Sequence, residues 1–123
     1  SDLSYNLRDD PELTSIVDNI TNVEIVSVDL MITRFDGISG SVEVILNRPS
    51  GELSKIFVPS IIDSLNNLLN FPIDSTQKKS ISDEIVATKA IQLSSMGKIQ
   101  NVSPLPSFIS FEIILTYSLT YES

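Results

Sequence analysis

Residues 108–121 read FISFEIILTYSLTY, and this stretch decides the fold class. Every odd-numbered position is apolar or aromatic, whereas the even-numbered positions are polar except for Phe108 and Ile114. Because successive residues of a strand point to opposite faces of a sheet, the alternation predicts one long strand with a buried face and a wet face. At about 3.3 Å per residue such a strand is roughly 45 Å long, so it needs partners along most of its length. We therefore predict an antiparallel sheet that is solvated on one side.

The composition around this strand is that of a single globular domain, spanning residues 1–123. Hydrophobic residues make up 41% of the chain, and no window approaches the roughly 18–20 apolar residues of a membrane helix. Eight Lys and Arg residues against sixteen Asp and Glu residues give a net charge of −8. This negative charge is spread over the chain, which argues against nucleic acid or anionic lipid as a partner.

Most enzymatic chemistry is unsupported by the residue types present. The chain has no histidine, cysteine or tryptophan, so the familiar triads, thiol catalysis and imidazole or thiolate metal sites are excluded. A carboxylate pair remains for glycoside hydrolysis, namely Glu24 with Asp29 or Glu43. Acidic side chains on the wet face of a sheet are ordinary, however, and we predict no enzymatic activity, no cofactor and no metal site.

A second acidic group lies near the start of the chain, at Asp9, Asp10 and Glu12. Asp10-Pro11 is typical of a helix start, and an apolar stripe at helical spacing follows over residues 13–20. We therefore predict a short helix whose first turn is acidic, in preference to a calcium site, which needs more oxygen ligands.

Other segments of the first half of the chain alternate as strands do. We predict a short strand at residues 2–7, a long one at 23–35, and further strands at 41–47 and 53–58. In the long strand the apolar phase shifts by one residue after Ile25, which indicates either a β-bulge or a strand buried on both faces. Turns follow at 36–40 and 48–51, where glycine and proline occur.

The second half of the chain is less regular. Residues 60–70 fit a helix with a start at Ser60 and Asp63 that resembles a capping box, and 74–83 read as a loop or a single helical turn. Residues 85–99 suit both helix and strand, and we prefer a strand over 88–99. The prolines of 103–106 make that segment a connection, so the strand would be the antiparallel neighbour of the final one. The fold class predicted is all-β, an antiparallel immunoglobulin-like sandwich of about seven strands with one or two short helices.

The order of these segments resembles the small immunoglobulin-like β-sandwich lipoproteins of the Bacteroidetes cell envelope. Such chains carry an opening pattern I-x-x-V-x-I-x-x-V-x-Y-x-I-x-x-F-x-G and a closing pattern G-x-V-x-x-x-P-x-x-F-x-V-x-V. The resemblance covers about two thirds of this chain. The first pattern is filled by Ile20, Val23, Ile25, Val28, Leu30, Ile32, Phe35 and Gly37, and the second by Gly97, Ile99, Pro104 or Pro106, Phe108 and Phe111.

The resemblance implies an exported protein of the outer membrane or cell surface, with the periplasm as the alternative. Family members carry a lipidated cysteine at the mature start, and Ser1-Asp2 is a sequence that such a residue would precede. The triplets around Ser64 and Ser75, Asp-Ser-Leu and Asp-Ser-Thr, resemble the O-glycosylation sites of these bacteria. Asn19 and Asn101 each begin an N-glycosylation triplet.

The function predicted is that of a non-enzymatic accessory subunit of a larger envelope assembly, acting through protein–protein contacts. A glycan-binding sandwich module and a structural subunit of a fibre or virion are the alternatives, since a long edge strand pairs readily with another chain. Apolar side chains on otherwise wet strand faces, or near the end of the last strand, are the candidate partner contacts. These are Met31, Phe35, Phe108, Ile114, Leu119 and Tyr121.

Overall fold

The computed structural model describes residues 2–122, which form seven strands in two packed antiparallel sheets and one α-helix. One sheet has four strands in the order β1-β6-β3-β4, and the other has three in the order β5-β2-β7. The strands are β1 (Asp2–Asn6), β2 (Ile20–Phe35), β3 (Ser39–Arg48), β4 (Gly51–Val58), β5 (Leu68–Asn70), β6 (Ala90–Ser103) and β7 (Ile109–Tyr121), and the helix is α1 (Ser75–Thr88). Within the described part of the chain, no helix is long and apolar enough to cross a membrane.

The predicted all-β class, the antiparallel pairing and the number of strands are confirmed. The immunoglobulin-like part of the prediction is not confirmed. In that fold strands A, B, E and D form one sheet and C, F and G the other. Here the first strand pairs with the sixth, and the second strand is central to the smaller sheet.

The core lies between the two sheets and is built from alternating strand positions. Val42, Val44 and Leu46 on β3 are fully buried, and they share one core cluster with Leu30 and Ile32 of β2, which are equally inaccessible. On β7 the odd-numbered residues point inward and the even-numbered ones outward, as the alternation predicts. Burial of such side chains contributes about 1.5–3 kcal/mol each, so this layer is the main source of stability.

The phase shift in β2 is a β-bulge. β2 pairs with β7 along its whole length, and the register shifts at three places, each of which leaves one extra residue on β2. The extra residues are Thr21, Val26 and Thr33. The bulge at Val26 turns that side chain outward and restores Val28 and Leu30 to the core side. The sequence pattern therefore located this bulge correctly.

The predicted helix at residues 10–20 is wrong. Residues 11–16 form consecutive turns, a 3-10 turn follows at Val17–Asn19, and β2 already begins at Ile20. The Asp10 carboxylate accepts a hydrogen bond from the Glu12 N–H at 2.9 Å, which closes a tight turn of its own. Asp and Asn side chains can replace the backbone carbonyl as acceptor for nearby N–H groups. Here the bond to Asp10 stabilises a turn in place of the first turn of a helix.

The predicted helix at residues 60–70 is also wrong. A 3-10 turn at Ile62–Ser64 is followed by Asn66 in the left-handed conformation, with φ of 62°, and then by β5. The Asn66 N–H donates to the Ile32 carbonyl oxygen at 2.8 Å, and Leu68–Asn70 pair with β2. The backbone of this segment therefore completes the sheet, and its leucines lie along the sheet edge instead of on a helical stripe.

The only α-helix within residues 2–122 begins in the segment that the sequence analysis assigned to a loop or a single turn, 74–83. A reciprocal capping box starts it: the Asp74 carboxylate accepts from the Gln77 N–H, and the Gln77 side chain accepts from the Asp74 N–H. The helix ends at Lys89, which is left-handed with φ of 59°. Residues 85–88 are therefore helical, while most of the preferred strand at 88–99 is confirmed as part of β6.

β6 is not the neighbour of β7. The connection at 103–106 exists as predicted, but it carries the chain from the four-stranded sheet across to the three-stranded one, where β7 pairs with β2. Gly97 of β6 still lies close to β7, because a Cβ atom built there would be 3.2 Å from the Phe111 ring. The two strands thus face each other across the core instead of lying side by side.

Candidate functional site

The acidic side chains considered for glycoside hydrolysis lie apart. Glu24 is exposed on the outer face of the three-stranded sheet, and Glu43 lies on the outer face of the four-stranded one. Asp29 is buried, and its carboxylate accepts hydrogen bonds from Ser27 Oγ at 2.9 Å and from Asn70 Nδ2 at 3.1 Å; the second of these bonds ties β5 to β2. Among residues 2–122, no group of three or more Asp and Glu side chains is placed to hold a metal ion.

The most unusual surface of the molecule is the free edge of β7. Within the described residues, β2 is the only strand that pairs with β7, so thirteen residues have one unpaired edge. The Phe108 carbonyl oxygen accepts from the Asp36 N–H, and the Glu122 N–H donates to the Asn19 carbonyl oxygen. Even-numbered residues therefore direct their backbone groups toward β2.

β7 itself carries no bulge, since every extra residue of the pairing lies on β2. In a regular antiparallel strand the direction of the backbone N–H and C=O groups alternates from one residue to the next. Every odd-numbered residue from Ile109 to Tyr121 therefore directs both groups toward the free edge. The result is an unbroken row of donors and acceptors, roughly 40 Å long.

This edge lacks the devices by which proteins usually protect an exposed strand. Such devices are short length, proline, lysine, inward-pointing charges or a bulge. Between Ile109 and Tyr121 there is no proline, lysine or arginine, and the one charged residue, Glu112, points outward. By contrast, β5 has three residues and β1 has five, and the β4 edge carries Lys55.

The opposite edge of the same sheet is covered. β5 pairs with the middle of β2, and α1 packs beside its first half, where Lys78 Nζ donates to the Val26 carbonyl oxygen at 3.1 Å. A polar groove of about 390 Å³ runs between α1 and β2, lined by Asn22, Glu24, Lys79 and Asp83 among others. The three-stranded sheet is therefore closed at one edge and open at the other.

An apolar opening accompanies the free edge. β1 and β7 lie at the same side of the sandwich, one in each sheet, and they do not close over the core between them. The opening has a volume of about 200 Å³, which is smaller than the roughly 300–1,000 Å³ of typical ligand pockets. We call it the β1–β7 seam; it is lined by Leu3, Tyr5, Ile91, Ile113, Leu115 and Tyr117.

Two tyrosines and a carboxylate form the polar end of the seam. The Tyr5 hydroxyl donates a hydrogen bond to the Asp10 carboxylate, and Tyr117 lines the opening beside Tyr5. Burial and the bond to Asp10 raise the pKa of Tyr5, burial raises that of Tyr117, and the bond from Tyr5 lowers that of Asp10. The cluster joins β1 to β7 and leaves the free edge of β7 uncovered.

The predicted contact residues divide into two groups. Four of the six belong to β7 or directly precede it: Phe108 is 68% exposed, Tyr121 is 48% exposed, and Ile114 and Leu119 are half-buried. Leu119 pairs opposite Val23 and Tyr121 opposite Ile20, so the end of β7 is paired with β2 and does not project beyond it. The exposed part of β7 is its second edge, which no strand within residues 2–122 pairs with.

Met31 and Phe35 do not share a face, contrary to the sequence assignment. Met31 lies on the outer face between Glu112 and Leu68, whereas Phe35 points inward opposite Ile109 and packs against the core. The bulge at Thr33 separates them, because one extra residue reverses the direction of every side chain that follows. No helix covers Met31 or Phe35 from residues 60–70, which form a 3-10 turn and β5.

Sequence reasoning missed two further apolar surfaces. At one end of the sandwich Ile38 and Leu105, which are 72% and 73% exposed, project from adjacent loops next to the predicted contact residue Phe108. On the outer face of the four-stranded sheet, Met96 lies opposite Ile45 and Phe57 lies opposite Glu43, and both are about half exposed. The exposure of the loop residues could have been predicted, because Ile38 and Leu105 lie in segments that the sequence assigns to turns. The outward direction of Phe57 could not, because apolar and polar residues do not alternate regularly in its strand.

The candidate glycosylation residues are accessible to different degrees. Ser75 is exposed at the first residue of α1, and Ser64 is half-buried at the end of its 3-10 turn. Asn19 and Asn101 are both exposed, and Asn101 is left-handed with φ of 54°. Ser1, next to which a lipidated cysteine was expected, lies outside the described residues.

No family model matches this chain, and no curated protein or solved structure matches it significantly.

Proposed function

We propose that this domain is a non-catalytic protein-contact module that binds an extended segment by strand addition along β7. The observation that carries the proposal is the free edge of β7, which is regular, unprotected and thirteen residues long. An added strand forms main-chain hydrogen bonds with such an edge and gains specificity from side chains at alternating positions.

The β1–β7 seam supports the same function. Inward-facing side chains of an added strand lie next to Ile113, Leu115 and Tyr117, so alternate apolar residues of that strand extend the core into the opening. Outward-facing side chains meet Thr116, Ser118 and their neighbours, which are polar and nearly uncharged. The surface therefore favours a strand that alternates apolar and polar residues.

The setting we propose is the bacterial cell envelope, with the domain as an accessory subunit of a larger assembly. The support for this setting is the resemblance to envelope β-sandwich lipoproteins, together with the acidic composition. Intact mass of the protein isolated from its native source tests the anchor. A diacylglyceryl-cysteine directly before Ser1 supports it, whereas an unmodified residue at that place contradicts it.

Hydrogen exchange at single-residue resolution tests the strand addition. In the isolated chain at high dilution, amides of even-numbered β7 residues are expected to exchange slowly, since they bond to β2, and odd-numbered amides to exchange fast. In the native assembly both sets are expected to be protected. The even-numbered amides serve as the internal control. If the odd-numbered amides remain fast in the assembly, the proposal is wrong.

A further inference from the structure

We infer that the strand added along β7 is β7 of a second copy, paired antiparallel about a two-fold axis at Leu115. The inference rests on the proposed strand addition and names its partner. Leu115 is the central residue of Ile109–Tyr121, so this arrangement pairs all thirteen residues of each strand. The two smaller sheets then form one sheet of six strands in the order β5-β2-β7-β7-β2-β5.

The backbone geometry of the free edge suits this register. With Leu115 opposite its symmetry mate, Ile113 lies opposite Tyr117 of the second copy, and Phe111 lies opposite its Leu119. All of these are odd-numbered residues, whose N–H and C=O groups point to the free edge. Each such pair forms two hydrogen bonds in an antiparallel ladder, and no group on the edge is left without a partner.

The side chains are complementary in the same register. The inward face pairs apolar residues only, and the outward face places Ile114 opposite Thr116 and Glu112 opposite Ser118 of the second copy. Glu112 is the only charged residue of the strand, and the two-fold axis separates the two copies of it by six residues. Like charges directly opposite each other destabilise a pair of strands, and this register avoids them although each chain carries a charge of −8.

The dimer also closes the β1–β7 seam. Ile113, Leu115 and Tyr117 line the seam beside the free edge, and pairing brings the same three residues of the second copy against them. Both seams therefore join across the axis into one apolar layer. An isologous contact of this kind, with the same patch on both subunits, is the commonest form of oligomer interface.

Engineered disulfides test the register directly, because the chain contains no cysteine. In the double variant Glu112→Cys, Ser118→Cys, each new thiol lies opposite the other residue of the second copy. That pair is of the non-hydrogen-bonded kind, with Cα atoms about 4.5 Å apart, which a disulfide spans. The two positions in one chain are roughly 20 Å apart, so they do not bond to each other. We expect a doubly linked dimer from the double variant and none from either single variant.

Charge substitutions supply a second measurement that needs no covalent bond. Ser118→Lys is expected to tighten the dimer and Ser118→Glu to weaken it, each by roughly 2- to 30-fold at low ionic strength, because two symmetric contacts with Glu112 change. Sedimentation equilibrium of the full chain over a concentration series measures both constants. Glu43→Gln on the outer face of the other sheet is the matched control, because it changes the net charge by the same amount as Ser118→Lys; it should leave the constant nearly unchanged.

The outcomes separate this inference from the proposed function. A chain that stays monomeric at every concentration, while a heterologous partner protects the odd-numbered amides of β7, overturns the dimer and retains strand addition. Self-association in which those amides remain fast, or in which the two charge variants behave alike, overturns the dimer through β7. Concentration-dependent dimerisation with protected odd-numbered amides and linkage of the double variant alone supports it.

Discussion

Ile113→Asp tests whether the odd face of β7 is the buried one. Ile113 is 9% exposed and lies opposite Leu30, which is completely buried. The substitution removes about 2 kcal/mol of apolar burial. It also places a carboxylate where no partner is available, which costs about 3 kcal/mol or more. The sum of about 5 kcal/mol is between a third and all of the total stability of an ordinary domain, about 5–15 kcal/mol, so the variant should unfold at a far lower urea concentration than the parent chain.

Thr116→Asp is the matched control, because Thr116 is exposed on the opposite face of the same strand. It should cost about 1 kcal/mol or less. The measurement is urea denaturation at low protein concentration, followed by circular dichroism, with the midpoint compared at constant slope. Equal midpoints for the two variants would show that the alternation of faces is misassigned. Ile113→Val should cost about 0.5–1.5 kcal/mol, far less than Ile113→Asp.

Three further changes have expected outcomes. Since burial and its bond to Asp10 raise the pKa of Tyr5, the fold favours the protonated hydroxyl; the free energy of unfolding should therefore be constant up to about pH 10 and decrease above it. Tyr5→Phe should weaken that decrease in denaturation curves recorded from pH 8 to 12, and an unchanged slope would refute the assignment. Asp74→Ala should cost about 1 kcal/mol by removing the capping box, and a cost near zero would show that the cap contributes nothing. Gly40→Ala should destabilise the fold more than Gly51→Ala. Both residues have positive φ, but an added Cβ at Gly40 would lie 2.6 Å from the Val102 side chain, whereas one at Gly51 would have no neighbour within 4 Å. Equal thermal midpoints of the two variants would contradict this.

The strands were largely predictable from the sequence, because their signal is local. In β3 and β7 the alternation of apolar and polar residues coincides with the burial in the structure. The shifted phase in β2 marked its bulge at Val26 for the same reason, since a bulge changes which side chains reach the core. Such patterns report the burial of individual side chains, and burial is what the hydrophobic effect selects.

The helices were less predictable, because capping and tertiary pairing outweighed periodicity. At 60–70 the leucines follow a helical spacing, yet the backbone pairs with β2 through Asn66 and β5. In α1 only Ile81, Ser82 and Ile85 are buried, so the apolar stripe is weak. The Asp74-Ser-Thr-Gln77 sequence was the usable signal, because it forms both bonds of a capping box.

The candidate site was only half predictable. The sequence indicated a long strand with apolar residues available to a partner, and four of the six named residues belong to β7 or directly precede it. It did not reveal which edge of β7 is free, because pairing depends on the path of the chain through residues 103–106 and not on the strand's own residues. Side-chain alternation is the same at the centre of a sheet and at its edge.

The placement of the bulges connects the fold to the proposed function. A twisted two-stranded pairing as long as β2 with β7 needs local irregularities to keep both strands against a curved core, and each irregularity interrupts a row of backbone groups. All three lie on β2, and much of the far edge of β2 is already covered by β5 and α1. β7 therefore has no bulge along its whole length. Its outer edge, with which no element within residues 2–122 pairs, is an uninterrupted row of backbone groups. Inserting one residue next to Leu115 would create a bulge on β7. The variant should keep part of its pairing with β2, but the row of unpaired N–H and C=O groups on the free edge would be interrupted at its centre. Strand addition should therefore fail.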